Sequence, residues 1–396
     1  MSEMEFVFWI SVGLILFAYI GYPVVVGLLS RCVPRFRLRP PVNTDSSAGL
    51  PVVSLIIAAY KEESIIRQRV NNALRMDYPA DKIEILIGCD GNEDRTGELV
   101  REVRDSRVRL MQFDKRRGKP SVLNDCVAAA RGEIIAFSDA NTFWDQDALL
   151  RLVMPFRDPR VGGVCGQLLL TDPLTGENVD GLYWKYENFL KRCESRLGAL
   201  LGFNGAIYVM RKQLWQPIPP QTIVDDFLIG MRLHQQWQQV LFDELAVARE
   251  ESAPSVSAEF HRRARIGAGG FQSLCWLFPL LNPLRGNIAF AFWSHKVLRW
   301  LCPLLMLTAL ISNIVLIRHP FFALLLLGQV LFYAIAVAGL QFHGRGVSAR
   351  VMKLSSLFVS MNAALAVGFY RWAGRHQSGA WKRTARTQEL QQTGSL

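Results

Sequence analysis

The segment 133–139 reads EIIAFSD and the segment 83–90 reads IEILIGCD, two short apolar, β-branched runs that each stop on an acid. Unbroken apolar runs of this length suit strands buried on both faces of a parallel sheet. Working outward, VVSLIIA at 52–58 and VRLMQF at 108–113 have the same texture, and the charged stretches Glu62 to Arg75, Thr96 to Arg104 and Ser121 to Ala130 between them read as helices. Alternating strands and helices predict an α/β domain of right-handed βαβ units around a mostly parallel, Rossmann-like sheet. Ligands of such sheets bind beyond the carboxyl ends of the strands. Asp90 and Asp139 close their strands at that edge, which makes them the first candidates for chemistry.

Two carboxylates so placed suit a metal, a nucleotide, or merely the turns and helix caps where Asp often follows a strand. Asp139-Ala140-Asn141 sets two oxygen-bearing side chains at i and i+2 on extended backbone, pointing the same way, as a hard cation such as Mg²⁺ or Mn²⁺ requires. Lys119 stands in RRGKPSVLND just ahead of a helix, where a lysine and helix-terminal N–H groups can meet a phosphate. The segment is not a P-loop, since GxxxxGK[ST] is absent.

The rest of the chain explains an odd balance. With 45 Lys+Arg against 34 Asp+Glu the net charge is +11, yet half of the 396 residues are hydrophobic. That excludes a disordered chain and argues against a nucleic-acid-binding domain. The seven cysteines are scattered singly, with no disulfide framework and no zinc spacing. The apolar excess sits near the ends. Phe6 to Leu29 is long enough, at ~1.5 Å per residue, to exceed a hydrocarbon core of about 30 Å, and its acidic flank (Glu3, Glu5) predicts a retained span rather than a cleaved leader. Val297 to Ile317 and Phe321 to Phe342 read as further spans. Leu354 to Tyr370 reads as a weaker one, so two to three helices are expected over 297–374. Arg31, Arg35, Arg37 and Arg39 place the following residues on the cytoplasmic side, as do Arg345, Arg350 and Lys353. A fourth span would put the basic tail (Arg371, Arg375, Lys382, Arg383, Arg386) outside, against that bias. Residues 1–30 are thus expected to be a transmembrane helix and 31–50 a basic, Pro/Ser-rich linker. The soluble domain follows at 51–267, then interfacial helices at 268–296 and a polar tail at 375–396.

Taken in order, AAYKEE (58–63), CDGNEDRT (89–96), RGKPSVLND (117–125), FSDAN (137–141), FNGAIYVMRK (203–212), VDDFLIGMRL (224–233) and HRRARIG (261–267) resemble the membrane-bound family 2 glycosyltransferases. The likeness is to bacterial polysaccharide synthases of the hyaluronan, cellulose and poly-N-acetylglucosamine type. It implies a GT-A fold in a multi-pass protein of the bacterial inner membrane, its catalytic domain cytoplasmic. It implies a nucleotide-sugar donor, expected to be a UDP-sugar, and a glycan or lipid-linked acceptor. Inner-leaflet lipid and export proteins would be partners, and nucleic acid would not. By the same resemblance Tyr60, Glu62, Asp90, Lys119, Asp139 and Arg265 would bind the nucleotide. Asp139 and Asn141 would hold Mg²⁺ or Mn²⁺, Asn141 standing where a second Asp is usual. Asp226 would be the general base beside Asp225, a pair that taken alone also reads as the first turn of a helix. Phe203, Asn204, Gly205 and Trp184 would meet the acceptor, although Trp184 could equally pack a helix on the sheet. Where such synthases carry Gln-x-x-Arg-Trp, this chain has Arg262 to Ile266: the Arg is kept as Arg265 and the Trp is lost to Ile266. The expected activity is inverting, metal-dependent sugar transfer to a growing polysaccharide. The alternatives are single-sugar transfer to a polyprenyl-phosphate or glycolipid acceptor, or a non-catalytic subunit.

Overall fold

The computed structural model describes residues 2–33, 49–172, 181–252, 256–341 and 346–377. Most of the linker before Gly49, with Arg35, Arg37 and Arg39, lies outside the described residues, as do Arg345 and the basic tail beyond Gln377. The chain divides into two compact units, one of residues 1–25, 255–275 and 292–377 and the other of 26–254, 276–291 and 378–396.

In chain order, α1 (Glu3–Leu16) runs through a π-helical turn into α2 (Tyr22–Cys32). The sheet-bearing unit then begins with β1 (Val53–Ala59), α3 (Ile66–Leu74), β2 (Ile83–Asp90), α4 (Thr96–Arg101), β3 (Val108–Phe113), α5 (Lys119–Ala129) and β4 (Ile134–Asp139). It continues with β5 (Phe143–Trp144), α6 (Ala148–Val153), β6 (Val161–Thr171), α7 (Leu182–Arg196), β7 (Tyr208–Arg211), α8 (Asp225–Gln235) and β8 (Gln239–Glu251). The eight strands form one sheet in the order β3-β2-β1-β4-β7-β6-β8-β5.

The half β3-β2-β1-β4 is parallel throughout, as the alternating pattern requires. Every residue of β1 and β2 is buried, which is why these strands read as continuous apolar runs rather than alternating ones. Beyond β4 the sheet turns mixed. β7 runs antiparallel to both β4 and β6, β8 is parallel to β6, and the two-residue β5 is antiparallel to β8. The short β7 lies inside FNGAIYVMRK and carries no long apolar run to announce it. Register places Ala59 beside Cys89 and Ala58 beside Asp139. Asp90 and Asp139 therefore flank the end of β1 at one sheet edge.

The second unit is helical. α9 (Val256–Leu277) contributes its length through Cys275, and after α10 (Asn287–Ala291) come α11 (Leu298–Val315), α12 (Pro320–Ala338) and α13 (Val347–Ala373). Glu3–Cys32, Asn287–Val315, Pro320–Ala338 and Val347–Ala373 are four helices long and apolar enough to cross a membrane. The stretch 354–370, expected to be a weak span, is thus part of a 27-residue helix. Within this unit Phe271 stacks on Trp372 at 5.8 Å, and Ser11 meets Thr308 at 2.9 Å.

Candidate active site

Asp90 is 3 % exposed and accepts from two backbone amides, Arg117 N–H at 2.6 Å and Gly118 N–H at 2.8 Å. Its carboxylate thereby folds the 116–118 loop over the strand ends. Gly118 has φ +88°, a left-handed conformation that a side chain would strain, and Lys119 opens α5 directly after it. The same turn sets the Arg116 guanidinium 4.0 Å above the Tyr60 ring, and the Tyr60 hydroxyl donates to Glu93 at 3.1 Å. Glu62 is buried, and its backbone N–H donates to Thr96 Oγ1 at 2.8 Å. The expected nucleoside residues Tyr60, Glu62 and Asp90 thus gather around the ends of β1 and β2, with Asp90 shaping the loop as its direct task.

The acids and the lysine meet at the next strand. Lys119 Nζ donates to Asp139 Oδ1 at 2.6 Å and lies 3.5 Å from Asp225 Oδ2. Burial alone would lower the Lys119 ammonium, but Asp139, Asp225 and Asp226 outweigh it and push the group well above the usual lysine value. α8 begins at Asp225 with Val224 as a cap that offers no side-chain hydrogen bond, so neither acid is an N-cap. Asp226 Oδ1 accepts from Phe227 N–H at 2.8 Å. Burial first, and then the charge of Asp225, push the Asp226 carboxyl up to about 6 against the opposing pull of Lys119. Gly205 makes room for this group, since a Cβ there would stand 3.0 Å from Asp226 Oδ2.

A carboxylate that titrates near 6 can hold or release a proton at physiological pH. If Asp226 takes the proton of an attacking hydroxyl, kcat/KM should fall roughly tenfold per pH unit below about 6 and level off above it. Asp225→Asn should move that acidic limb to lower pH by removing the second cause of the shift. A pH profile of nucleotide release checks both, and a limb in the ordinary Asp range near 4 overturns the role.

The donor set suits a hard cation. Asp139, Asp225 and Asp226 bring three carboxylates toward a single ammonium. Among the described residues no group of three His, Cys, Asp or Glu encloses a metal site. A cation would take few protein oxygens and complete its shell from phosphate and water, the habit of Mg²⁺ and Mn²⁺ rather than of a structural zinc. Asn141 commits its amide nitrogen to Glu250 at 2.9 Å, which leaves the oxygen end for a cation.

The acceptor expectations fare differently. Phe203 is 6 % exposed and stacks on Tyr208 at 4.7 Å, in a column that continues to Phe137 and Trp215. It packs as a core ring. Asn204 is buried as well, bound to Lys191 and donating to the Gly166 carbonyl at 2.6 Å, so it clamps the loop. Gly205 stands against Asp226, and Trp184 is half-buried on α7 beside Tyr183. Arg265 lies on α9 in the helical unit, not in the unit that holds Asp226.

Two buried residues at the site escaped sequence reading. Tyr208, 1 % exposed, has a hydroxyl without a hydrogen-bond partner among the described residues, and burial followed by the charges of Asp225, Asp226 and Asp139 drives its phenol up. Arg69 is fully buried. Its position was legible, because Ile66, Arg69, Val70 and Ala73 mark one helical face and all four are buried.

Residues 54–215 match the glycosyl transferase family 2 model. The chain is 24 % identical over 279 residues to the poly-beta-1,6-N-acetyl-D-glucosamine synthase of Staphylococcus aureus (strain COL), spanning 66 % of each protein. It is 27 % identical over 283 residues to the beta-monoglucosyldiacylglycerol synthase of a Synechocystis strain, covering 67 % of this chain and 58 % of that protein. The match thus spans just under two thirds of the first of these curated relatives and less of the second. Among solved structures, a mannosyltransferase from Pyrobaculum calidifontis in complex with GDP-Man and Mn²⁺ superposes with a TM-score of 0.68 at 21 % identity, covering 94 % of this chain and 100 % of that one. That likeness speaks for the fold.

Proposed function

We propose that this chain, a glycosyltransferase with a family 2 domain over residues 54–215, moves a sugar from a nucleoside-diphosphate donor to a growing polysaccharide with inversion at the anomeric carbon. The observation that carries the reading is the convergence of Asp139, Asp225 and Asp226 on Lys119 beside the Asp90 loop. Asp226 takes the acceptor hydroxyl's proton as its oxygen attacks the anomeric carbon, and the nucleoside diphosphate leaves from the opposite face. One carboxylate base suffices for such an in-line displacement, with no covalent sugar intermediate. Lys119 supplies fixed positive charge near the departing diphosphate. Mg²⁺ or Mn²⁺ held at Asp139 and Asn141 would offset the charge gained by that leaving group. Tyr60, Glu62 and the Asp90 loop bind the nucleoside, and Arg265 serves the diphosphate. Gly205 and Trp184 border the acceptor. In this reading the protein is a multi-pass component of a bacterial inner membrane, its sheet-bearing unit on the cytoplasmic side and its product handed to export proteins; the four helices long and apolar enough to cross a membrane support it.

A second reading is single-sugar transfer to a polyprenyl-phosphate or glycolipid acceptor. It is favoured by Ile266, 38 % exposed, where the polymer-making type carries a Trp suited to stacking on a sugar. The test is purified protein in detergent with a panel of UDP- and GDP-sugars plus Mg²⁺ or Mn²⁺. One donor class, expected to be UDP-linked, should release its nucleotide, and product size on a gel separates polymer from single addition. No release from any donor overturns the proposal.

A further inference from the structure

Arg69 is the largest fully buried side chain among the described residues, at 0 % exposure. Burying a guanidinium costs several kcal/mol unless its donors and its charge are met. Among the described residues Nη1 has a hydrogen bond, to Asn72 Oδ1 at 3.0 Å, while Nε and Nη2 have none. Burial pulls the guanidinium down to about 9, and the charge of Asp139 works against that pull. Asn72 in turn grips the backbone just past Asp139: Trp144 N–H donates to Asn72 Oδ1 at 3.0 Å, and Asn72 Nδ2 donates to the Trp144 carbonyl at 2.9 Å. The Trp144 indole then donates to the Ala206 carbonyl at 2.9 Å, in the loop whose Gly205 borders Asp226. One buried cation therefore sits at the root of a hydrogen-bonded chain that runs past the 139–144 turn to the loop beside Asp226.

We propose that Arg69 is a positioning residue for sugar transfer: through Asn72 and Trp144 it sets the 139–144 turn, which begins at Asp139, against the 203–206 loop, and so fixes the Asp139 carboxylate for the donor's divalent cation. This role needs no contact with substrate, and a leucine at the same helical position would pack without it. The inference rests on Asp139 serving a divalent cation, as put forward above.

The experiment compares wild type, Arg69→Met, Arg69→Lys and Asn72→Asp, all full-length in detergent. It reads the Mn²⁺ concentration at half-saturation of nucleotide binding, together with kcat, KM for donor and thermal stability. Arg69→Met should raise the Mn²⁺ half-saturation at least tenfold, and Arg69→Lys should return it to within about threefold of wild type by restoring a cationic donor. A purely structural residue would lower stability and leave that constant alone. Should Arg69→Met fail to fold, Asn72→Asp carries the test: it keeps an oxygen for Trp144 N–H and Arg69 but turns a second oxygen toward the Trp144 carbonyl in place of the Nδ2 donor, which loosens the turn and should raise the same constant by a similar factor. A folded variant with wild-type Mn²⁺ half-saturation overturns the proposal alone. Wild-type nucleotide binding that ignores Mn²⁺ and Mg²⁺ overturns the metal reading beneath it, and the proposal with it.

Discussion

Asp226→Asn is expected to lower turnover by about 10² to 10⁴, the usual contribution of a positioned proton acceptor, while nucleotide binding stays within a few-fold of wild type. The substitution keeps the size and the acceptor atom that Phe227 N–H uses, so the start of α8 should persist. What disappears is the only property that matters for the step, a lone pair basic enough to take a hydroxyl proton at neutral pH. The environment has raised that basicity: burial and the neighbouring Asp225 hold the carboxyl near 6, and Lys119 stops it from rising further. Nucleotide release against donor concentration, with calorimetry of nucleoside diphosphate binding on the same protein, separates the two effects. Full turnover in the variant removes Asp226 as the base. A parallel loss of nucleotide affinity would make it a binding residue instead.

How much of this was legible beforehand depends on what kind of signal each residue leaves. Strands β1, β2 and β4 announce themselves because burial on both faces demands unbroken apolar runs, while the half-buried edge strand β3 still falls on the expected residues, Val108–Phe113. β7 does not, since four residues inside a loop-like motif leave no periodicity to read, and the antiparallel half of the sheet follows from it. The acids at the sheet edge were readable from topology alone, because parallel strands place their last residues together. Their pairing with Lys119 was not, because a lysine at a helix start says where the ammonium begins but not which carboxylate it reaches. The burial of Phe203 and Asn204 was hidden for a related reason: a motif marks where a loop is, and not which of its side chains turns inward. Arg69 was overlooked although it shares a helical face with Ile66, Val70 and Ala73. A charge on a buried face is the kind of conflict between local pattern and burial that marks a functional neighbourhood.

Lys119→Met should cut kcat/KM for the donor by about 10² to 10³, taking 2–5 kcal/mol as the ordinary cost of stripping one partner from an enclosed charge pair. The larger diagnostic lies in its pH behaviour. Lys119 is the cation that opposes the rise of the Asp226 carboxyl, so without it the acidic limb of the rate profile should move upward from about 6. Stability should respond with the opposite sign. In wild type the ammonium stays charged from pH 5.5 to 8, because its folded value lies above the ordinary lysine range, so its own titration adds nothing in that window. In the variant, Asp226 lacks that counter-charge, and its folded value rises further. The folded state then binds protons that the unfolded chain does not, so acidification through this window stabilises the variant relative to wild type. The melting-temperature gap between the two proteins should therefore be widest near pH 8 and narrow toward pH 5.5. Melting curves of both proteins across that range provide the check. A gap that stays constant with pH, together with an unmoved rate limb, would mean that the Asp226 carboxyl does not depend on Lys119 and that the charge balance drawn for this site is wrong.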